Sequence, residues 1–437
     1  SCIDVSRSAW ALRRWGGAIM IAALVLILLA LLGAPLFAVI GASALNGFNQ
    51  QGDPLSIVAI SVFGLTDLPL LMAIPMFTFA GYLLSESGAP RRLVHLSEAL
   101  LGWMPGGLAM ISLVACALFT AFTGASGVTI IALGALLYPA LKHAGYPDNF
   151  NLGLVTSSGS LGLLFAPSLP LILYGVVAEV SIDQLFRAGL LPGILMLAML
   201  GGWSLWRNRS IRVPFDQFSA AEVGRALWAA RWELPLPIVV LGGIYSGFFA
   251  VSEAAAVTAF FLIFVDVIVL SEVPVRSLPR IMREAMVLVG GILIILGVSL
   301  ASTNYMIFAG VPDKLLALTQ THVDSQTTFL VSLLLFLLAL GAILDIFSAL
   351  VLVVPLILPV AASFGVDPVH LGIVFLSAMQ LGYLTPPVGL NLFIASFRFE
   401  RSITSVYLAT LPFLLILLVA VIIITFWPSL SLFLVQG

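Results

Sequence analysis

The sequence predicts an all-α polytopic membrane protein assembled from two related halves, and three observations lead there. Of its 437 residues, 61% are hydrophobic and only 9% are charged, whereas a soluble domain carries about 25% charge. That apolar content is enough for about ten to thirteen spans at roughly 20 residues each. Glycine and proline landmarks also recur at a shift of 220 residues, and the two most irregular apolar stretches fall on one another under it.

The first long apolar run, Ala18 to Leu45, follows Arg13 and Arg14 and is interrupted at Gly33-Ala34-Pro35. It is too long for a signal peptide and ends in no small-residue cleavage pattern, so it reads as a retained span. Further spans are expected at about 57–84, 108–122, 126–141, 189–206, 234–250, 253–271, 285–309, 328–344, 346–363 and 404–432. One clearly polar stretch, Arg207 to Trp232, carries Arg207, Arg209, Arg212, Arg225 and Arg231. It separates a first half, 1–206, from a second, 233–437, and the positive-inside rule puts this 207–232 connector in the cytoplasm.

Several classes are excluded. The net charge of −2, from 18 Lys+Arg against 20 Asp+Glu, offers no basic footprint for nucleic acid. The 38 Gly and 24 Pro follow no short period, against a collagenous or low-complexity chain. Two cysteines, Cys2 and Cys116, make no disulfide framework, and His95, His143, His322 and His370 lie too far apart in sequence for a metal motif.

The 220-residue shift brings Pro139 onto Pro359, Gly145 onto Gly365, Gly162 onto Gly382 and Pro167 onto Pro387. Single coincidences mean little in membrane helices, where Gly and Pro are common; several in order argue for duplication. The irregular stretches are about 150–182 and 368–399. In each, some ten apolar residues meet a Gly/Pro/Ser/Thr centre and then a second apolar arm. Pro167, Pro170, Pro386 and Pro387 break the helix there, and arms this short suit a re-entrant hairpin. Each stretch is therefore expected to reverse at its centre, near the membrane midplane. The alternative is a pair of Pro-kinked ordinary spans.

Irregular backbone at that depth survives only when buried in protein or lining a cavity, and paired interrupted segments point to a transporter's binding site. Helix C-termini there can hold a small cation, and N-termini can meet a carboxylate. Ser157, Ser158, Ser160, Ser168, Thr385 and Asn391 add neutral polar groups. Upstream, Thr120, Thr123, Ser126 and Thr129 sit at helical spacing beside Gly124 and Gly127, a pattern that also serves close helix packing. Three ionisable residues lie inside spans. Glu253 reads as an N-terminal cap, Asp266 faces the interior or an interface, and Asp345 stands close to the second expected cation site.

The runs Gly159–Gly175 and Leu381–Ser396, with Phe122–Gly134, Gly243–Val257 and Val354–Gly372, resemble the large membrane subunit of TRAP (tripartite ATP-independent periplasmic) transporters across nearly the whole chain. The resemblance implies an inverted-repeat elevator-type transporter with two re-entrant helical hairpins, driven by sodium, in the bacterial inner membrane. It implies two partners, a small membrane subunit (Q-type) and a periplasmic substrate-binding protein that hands over an organic acid. The length leaves no room for the small subunit as a fusion. Two sodium sites are implied. The first uses Thr120, Thr123, Gly162, Phe165 and Pro167, and the second Gly341, Gly382, Thr385 and Val388, with Ser126 and Asp345 in support. Ser168 and Asn391, each just past its helix break, are expected at the substrate carboxylate. The family commonly has two prolines at the first break, and Ala166 replaces one of them.

Other classes fit less well. A stand-alone elevator-type dicarboxylate or ion transporter keeps the hairpins without the partners. An intramembrane enzyme lacks a Ser/His or metal constellation within spans, a channel lacks a charge ring or filter, and no ATP-binding GxxxxGK[ST] loop occurs.

Overall fold

The computed structural model describes residues 24–26, 28, 29, 32, 34–65, 69–101, 106–209 and 219–436. Cys2, Arg13, Arg14, Gly33, most of the start of the Ala18–Leu45 run and Arg212 lie outside the described residues. Among the described residues every regular element is a helix, the form in which a chain surrounded by lipid satisfies its own backbone. We number them α1 (Leu36–Gln51), α2 (Ser56–Gly64), α3 (Ala73–Glu86), α4 (Ala89–Leu101), α5 (Gly107–Thr123), α6 (Ser126–Ala132) and α7 (Gly134–His143). Next come α8 (Asp148–Ser158), α9 (Leu169–Val177), α10 (Ile182–Arg207), α11 (Ala220–Ala229), α12 (Pro235–Tyr245) and α13 (Val251–Leu262), which runs on as a π-helix to Val269. The rest are α14 (Leu278–Phe308), α15 (Val311–His322), α16 (Gln326–Gly341), α17 (Ile346–Ser363), α18 (Pro368–Gly382), α19 (Leu390–Phe399), α20 (Ile403–Phe426) and α21 (Pro428–Gln436).

Helix ends follow local chemistry. Asp345, Asp367, Ser325 and Ser402 accept backbone N–H bonds at the starts of α17, α18, α16 and α20. Gly145 and Gly365 end α7 and α17 in the left-handed conformation, at φ 83° and 75°. Glu253 accepts from Ala250 N at 2.9 Å, the capping role expected of it. Among the described residues, five helical segments are long and apolar enough to cross a membrane: Ile182–Arg207, Val251–Val269, Val275–Phe308, Ile346–Ser363 and Ile403–Phe426. Three expected spans are instead interrupted, and α6 and α7 divide the 126–141 stretch at Leu133. The 57–84 stretch is α2 and α3 with a 3-10 turn at Pro69–Met72, since Pro69 lacks the amide to continue a helix. The 404–432 stretch breaks at Trp427, which Pro428 pushes out of helical geometry. Large apolar side chains such as Phe248, Phe260 and Phe397 stand exposed on the exterior, as they do on a surface that faces hydrocarbon.

The chain forms two compact units, residues 1–67 with 290–314, and residues 68–289 with 315–437. In the smaller unit Phe48 meets Tyr305 edge-on at 5.6 Å, beside Gly47, and Asn304 Nδ2 donates to Ser61 Oγ at 3.3 Å.

In the larger unit α10 serves as a depth gauge, about 39 Å long at 1.5 Å per residue. Its C-terminal end packs Trp203 against Phe150 and Phe413, and Gly201 against Met110. Its middle touches Leu164 and Phe165 through Gly189 and Gly193, and its start meets Gly175 through Ile182 and Leu185. The chain therefore enters α8 at one end of α10, breaks at mid-depth and leaves α9 at the other end. The two pieces are bent by 43°. The 150–182 stretch is thus a broken through-going span rather than a hairpin, and the expected reversal at its centre is corrected. The reversal lies next door. Helix α5 descends from Met110 at the Trp203 end to Thr120 beside Gly159 at mid-depth. It turns at Gly124, and α6 and α7 climb back until Tyr138 Oη donates to Asp148 at 2.6 Å.

The second copy repeats this upside down. Gln326 and Phe329 at the start of α16 meet Gly365 and Phe364 at the end of α17, so α16 and α17 form the reversing hairpin. Helix α18 starts where α9 ends, with Tyr174 Oη donating to the Pro368 carbonyl at 2.6 Å. It reaches the middle of α10, where Gln380 Nε2 lies 2.7 Å from Met196 Sδ. After the break, α19 continues to the Trp203 end, where Phe399 stacks on Tyr138 at 4.8 Å. The 368–399 stretch is likewise a broken span. Shifted by 220, α8 begins where α18 begins and α7 ends where α17 ends.

Candidate functional site

Each hairpin meets its neighbouring broken span at a glycine. A Cβ on Gly162 would lie 2.2 Å from the Ala117 carbonyl oxygen and 2.6 Å from Ala121 N. One on Gly382 would lie 2.4 Å from the carbonyl carbon of Gly341. Residues 121 and 341 are themselves related by the 220-residue shift, so the same contact is made twice. At each point two helix C-termini converge, those of α5 and α8 at the first and of α16 and α18 at the second. The carbonyl ends of these helices give both points partial negative charge.

The first crossing point is rich in oxygen. Thr120 Oγ1 lies 2.7 Å from the Cys116 carbonyl oxygen, 2.7 Å from Thr129 Oγ1 and 2.9 Å from the Gly159 carbonyl oxygen. Thr120 has one proton to give, so it cannot serve both carbonyls. Thr123 Oγ1 and Ser157 Oγ are buried without a hydrogen-bond partner among the described residues. Phe165 is extended, donates its N–H to the Gly162 carbonyl at 3.0 Å and accepts from Ser168 N at 3.1 Å. Pro167 follows a cis peptide after Ala166, as Pro387 does after Pro386.

The second crossing point is more open and relies on backbone. Thr385 donates its N–H to the Gly382 carbonyl at 2.9 Å and its hydroxyl to the Leu381 carbonyl at 3.1 Å. Val388, 41% exposed, donates its N–H to the Ala342 carbonyl at the hairpin turn. Asp345 caps α17, taking Phe347 N and Ser348 N at 3.0 Å on Oδ1 and Ser348 Oγ at 2.5 Å on Oδ2. Tyr383 Oη accepts from Ile346 N at 2.9 Å, a brace that sequence reasoning missed because nothing local marks it.

The two residues expected at a carboxylate are fully buried, and their polar atoms are engaged. Ser168 Oγ donates to the Leu163 carbonyl at 2.5 Å. Asn391 Oδ1 accepts from Ser126 Oγ at 2.8 Å, and its Nδ2 donates to the Thr156 carbonyl at 3.4 Å. Asn391 thus ties the second broken span to the first hairpin and first broken span, and Ser126 serves in that tie.

Residues 13–430 match the family described as "Tripartite ATP-independent periplasmic transporter, DctM component". The chain belongs to this family. It is 34% identical over 426 residues to the C4-dicarboxylate TRAP transporter large permease protein DctM of Rhodobacter capsulatus, covering 93% of this chain and 96% of that one. It is 32% identical over 404 residues to the isethionate TRAP transporter permease protein DctMQ of Oleidesulfovibrio alaskensis, where 92% of this chain covers 64% of the relative. The fold is also similar to the YdaH transporter of Alcanivorax borkumensis, with a TM-score of 0.62, 14% identity and coverage of 93% and 98%. At that identity the likeness speaks to fold alone. As a TRAP transporter large permease the chain is a multi-pass transport component and not an enzyme.

Proposed function

We propose that this chain is the sodium-coupled permease of a bacterial inner-membrane importer for a small organic acid. A periplasmic binding protein delivers the acid, and a small membrane subunit completes the permease. One observation carries the sodium assignment. Each crossing point gathers two helix C-termini, and the first adds crowded carbonyls and the unpaired Thr123 hydroxyl, the donor set a small hard cation takes. Thr120, Thr123, Gly162, Phe165 and Pro167 hold the first ion. Gly341, Gly382, Thr385 and Val388 hold the second, where Asp345 acts by fixing the start of α17.

The partners follow from the tripartite, periplasmic character of the family. The substrate class follows from relatives named for C4-dicarboxylates and isethionate, both small organic anions. Placing both crossing points in one compact unit suits an elevator mechanism, in which site and ions move as a body.

Thr123→Val tests this reading. It keeps the shape of the side chain and removes an unpaired buried hydroxyl, so the fold should hold its thermal midpoint in sodium-free buffer. Stabilisation by sodium, and sodium-driven uptake in proteoliposomes carrying all three components, should fall at least several-fold. An unchanged sodium response would sink the first-site assignment.

A further inference from the structure

Away from both crossing points, one group of charges has a surplus of acid. Arg92 on α4 donates Nε to Glu233 Oε1 at 2.8 Å and pairs through its other nitrogens with Glu272. Glu272 also accepts Gly88 N at 2.7 Å. Against the burial that would raise it, the Arg92 and Gly88 hydrogen bonds hold the Glu272 carboxyl below its ordinary range, so it is a true negative charge. The chain after the π-helix folds back so that Glu272 N and Val273 N both donate to the Asp266 carbonyl, at 2.9 and 3.2 Å. This sets the Asp266 backbone beside Glu272. Asp266 is 1% exposed, and neither of its carboxylate oxygens has a hydrogen-bond partner among the described residues. Glu233, 5% exposed, also keeps Oε2 unpartnered.

Two carboxylates, Glu233 and Glu272, thus already share the one guanidinium of Arg92. A buried carboxylate with no partner is costly enough that the group neutralises instead. No three of the described His, Cys, Asp or Glu side chains converge closely enough to hold a metal ion. Helix α3 brings Glu86 and α14 brings Arg280 and Glu284, but these three pair with one another on the exposed side. Glu253 lies at the far end of α13, bonded to Ala250 N. None of them supplies the missing positive charge.

We propose that Asp266 carries a proton near neutral pH, so that the permease has a protonation site separate from its sodium sites. The proton comes from solvent and makes Asp266 an uncharged carboxylic acid in its buried setting. Glu233 also lines a cavity of about 50 Å³ together with Leu118 and Phe122 of α5, the helix that bears Thr120 and Thr123. The cavity is apolar, and it places Glu233 close to the helix of the first crossing point.

The test is infrared spectroscopy of the purified full chain, paired with thermal midpoints across pH. Wild type should show a protonated-carboxyl C=O band near neutral pH that Asp266→Asn removes. Because the proton-bound form is the favoured one in the fold, the wild-type midpoint should fall as pH rises, and Asp266→Asn should flatten that slope. Glu233→Gln removes a neighbouring negative charge and should shift loss of the band to lower pH; this variant decides the matter if Asp266→Asn fails to fold. A band that survives in Asp266→Asn, or an unshifted band in Glu233→Gln, would overturn the proposal. So would a wild type that lacks the band at every pH and is stabilised by added monovalent cation in a manner lost in Asp266→Asn.

Discussion

The two crossing points share a backbone frame and differ in what fills it. At the first, Gly162 lies against α5 in a fully buried setting, and Thr120, Thr123 and Thr129 crowd the space with side-chain oxygens. At the second, Gly382 lies against Gly341 in a more open setting, where Thr385 is half-buried and Val388 is exposed. There the hairpin turn is held by Asp345, Tyr383 Oη and the Ala342 carbonyl. Duplication preserved the contact that needs glycine and let the surrounding chemistry diverge. The first point is specified by hydroxyls, the second by backbone and a helix cap.

The sharpest way to break this comparison is at the shared contact. Gly162→Val should be the most damaging change, because even its Cβ would fall 2.2 Å from a backbone oxygen that cannot move aside. Overpacking of this kind costs about 1–3 kcal/mol or more. A sharp drop in folded yield from detergent is expected. Gly341→Ala should be milder, since its nearest neighbour stands 3.1 Å away, and equal effects at the two glycines would contradict the comparison.

The tie between the halves comes next. Asn391→Leu leaves Ser126 Oγ and the Thr156 carbonyl without their partner, and should cost about 1–3 kcal/mol. The thermal midpoint reads this directly; a midpoint within error of wild type would show that the tie contributes nothing. The smallest effect is expected at the cap. Asp345→Asn keeps an acceptor for the α17 amides and should cost a few tenths of a kcal/mol, and Asp345→Ala about 1 kcal/mol. If the two lowered the midpoint equally, Asp345 would be acting through its charge rather than as a cap.

Much of the candidate site is legible in the sequence. Gly162 and Gly382 stood out because duplication repeats them, and they make the closest contacts in the two breaks. The direction of the chain through the breaks was not legible. Ten apolar residues on either side of a proline describe a re-entrant arm and half of a broken span equally well, because nothing local encodes whether the second arm goes back or onward. Packing against α10 decides it: Gly189 and Gly193 accept the break, and the start of α10 meets Gly175. The turn at Gly124, left-handed at φ 63°, falls between the spans expected at 108–122 and 126–141; only packing shows that it lies at mid-depth rather than at the membrane surface. Ser168 and Asn391 stand out for their polarity, yet Ser168 Oγ donates to the nearby Leu163 carbonyl and the partners of Asn391 come from segments 235 and 265 residues away.

By itself the sequence determined that this is a helical membrane protein, duplicated, with helix breaks at Pro167 and Pro387 and their glycines. Those properties follow from composition and from local covalent limits on the backbone. Tertiary structure alone decided which segments reverse and which cross. It also decided that Asn391 ties the halves together and that Asp266 lies buried with neither carboxylate oxygen partnered among the described residues. Those outcomes depend on which distant surfaces meet, and a side chain's partners are set by that meeting rather than by its neighbours in the chain.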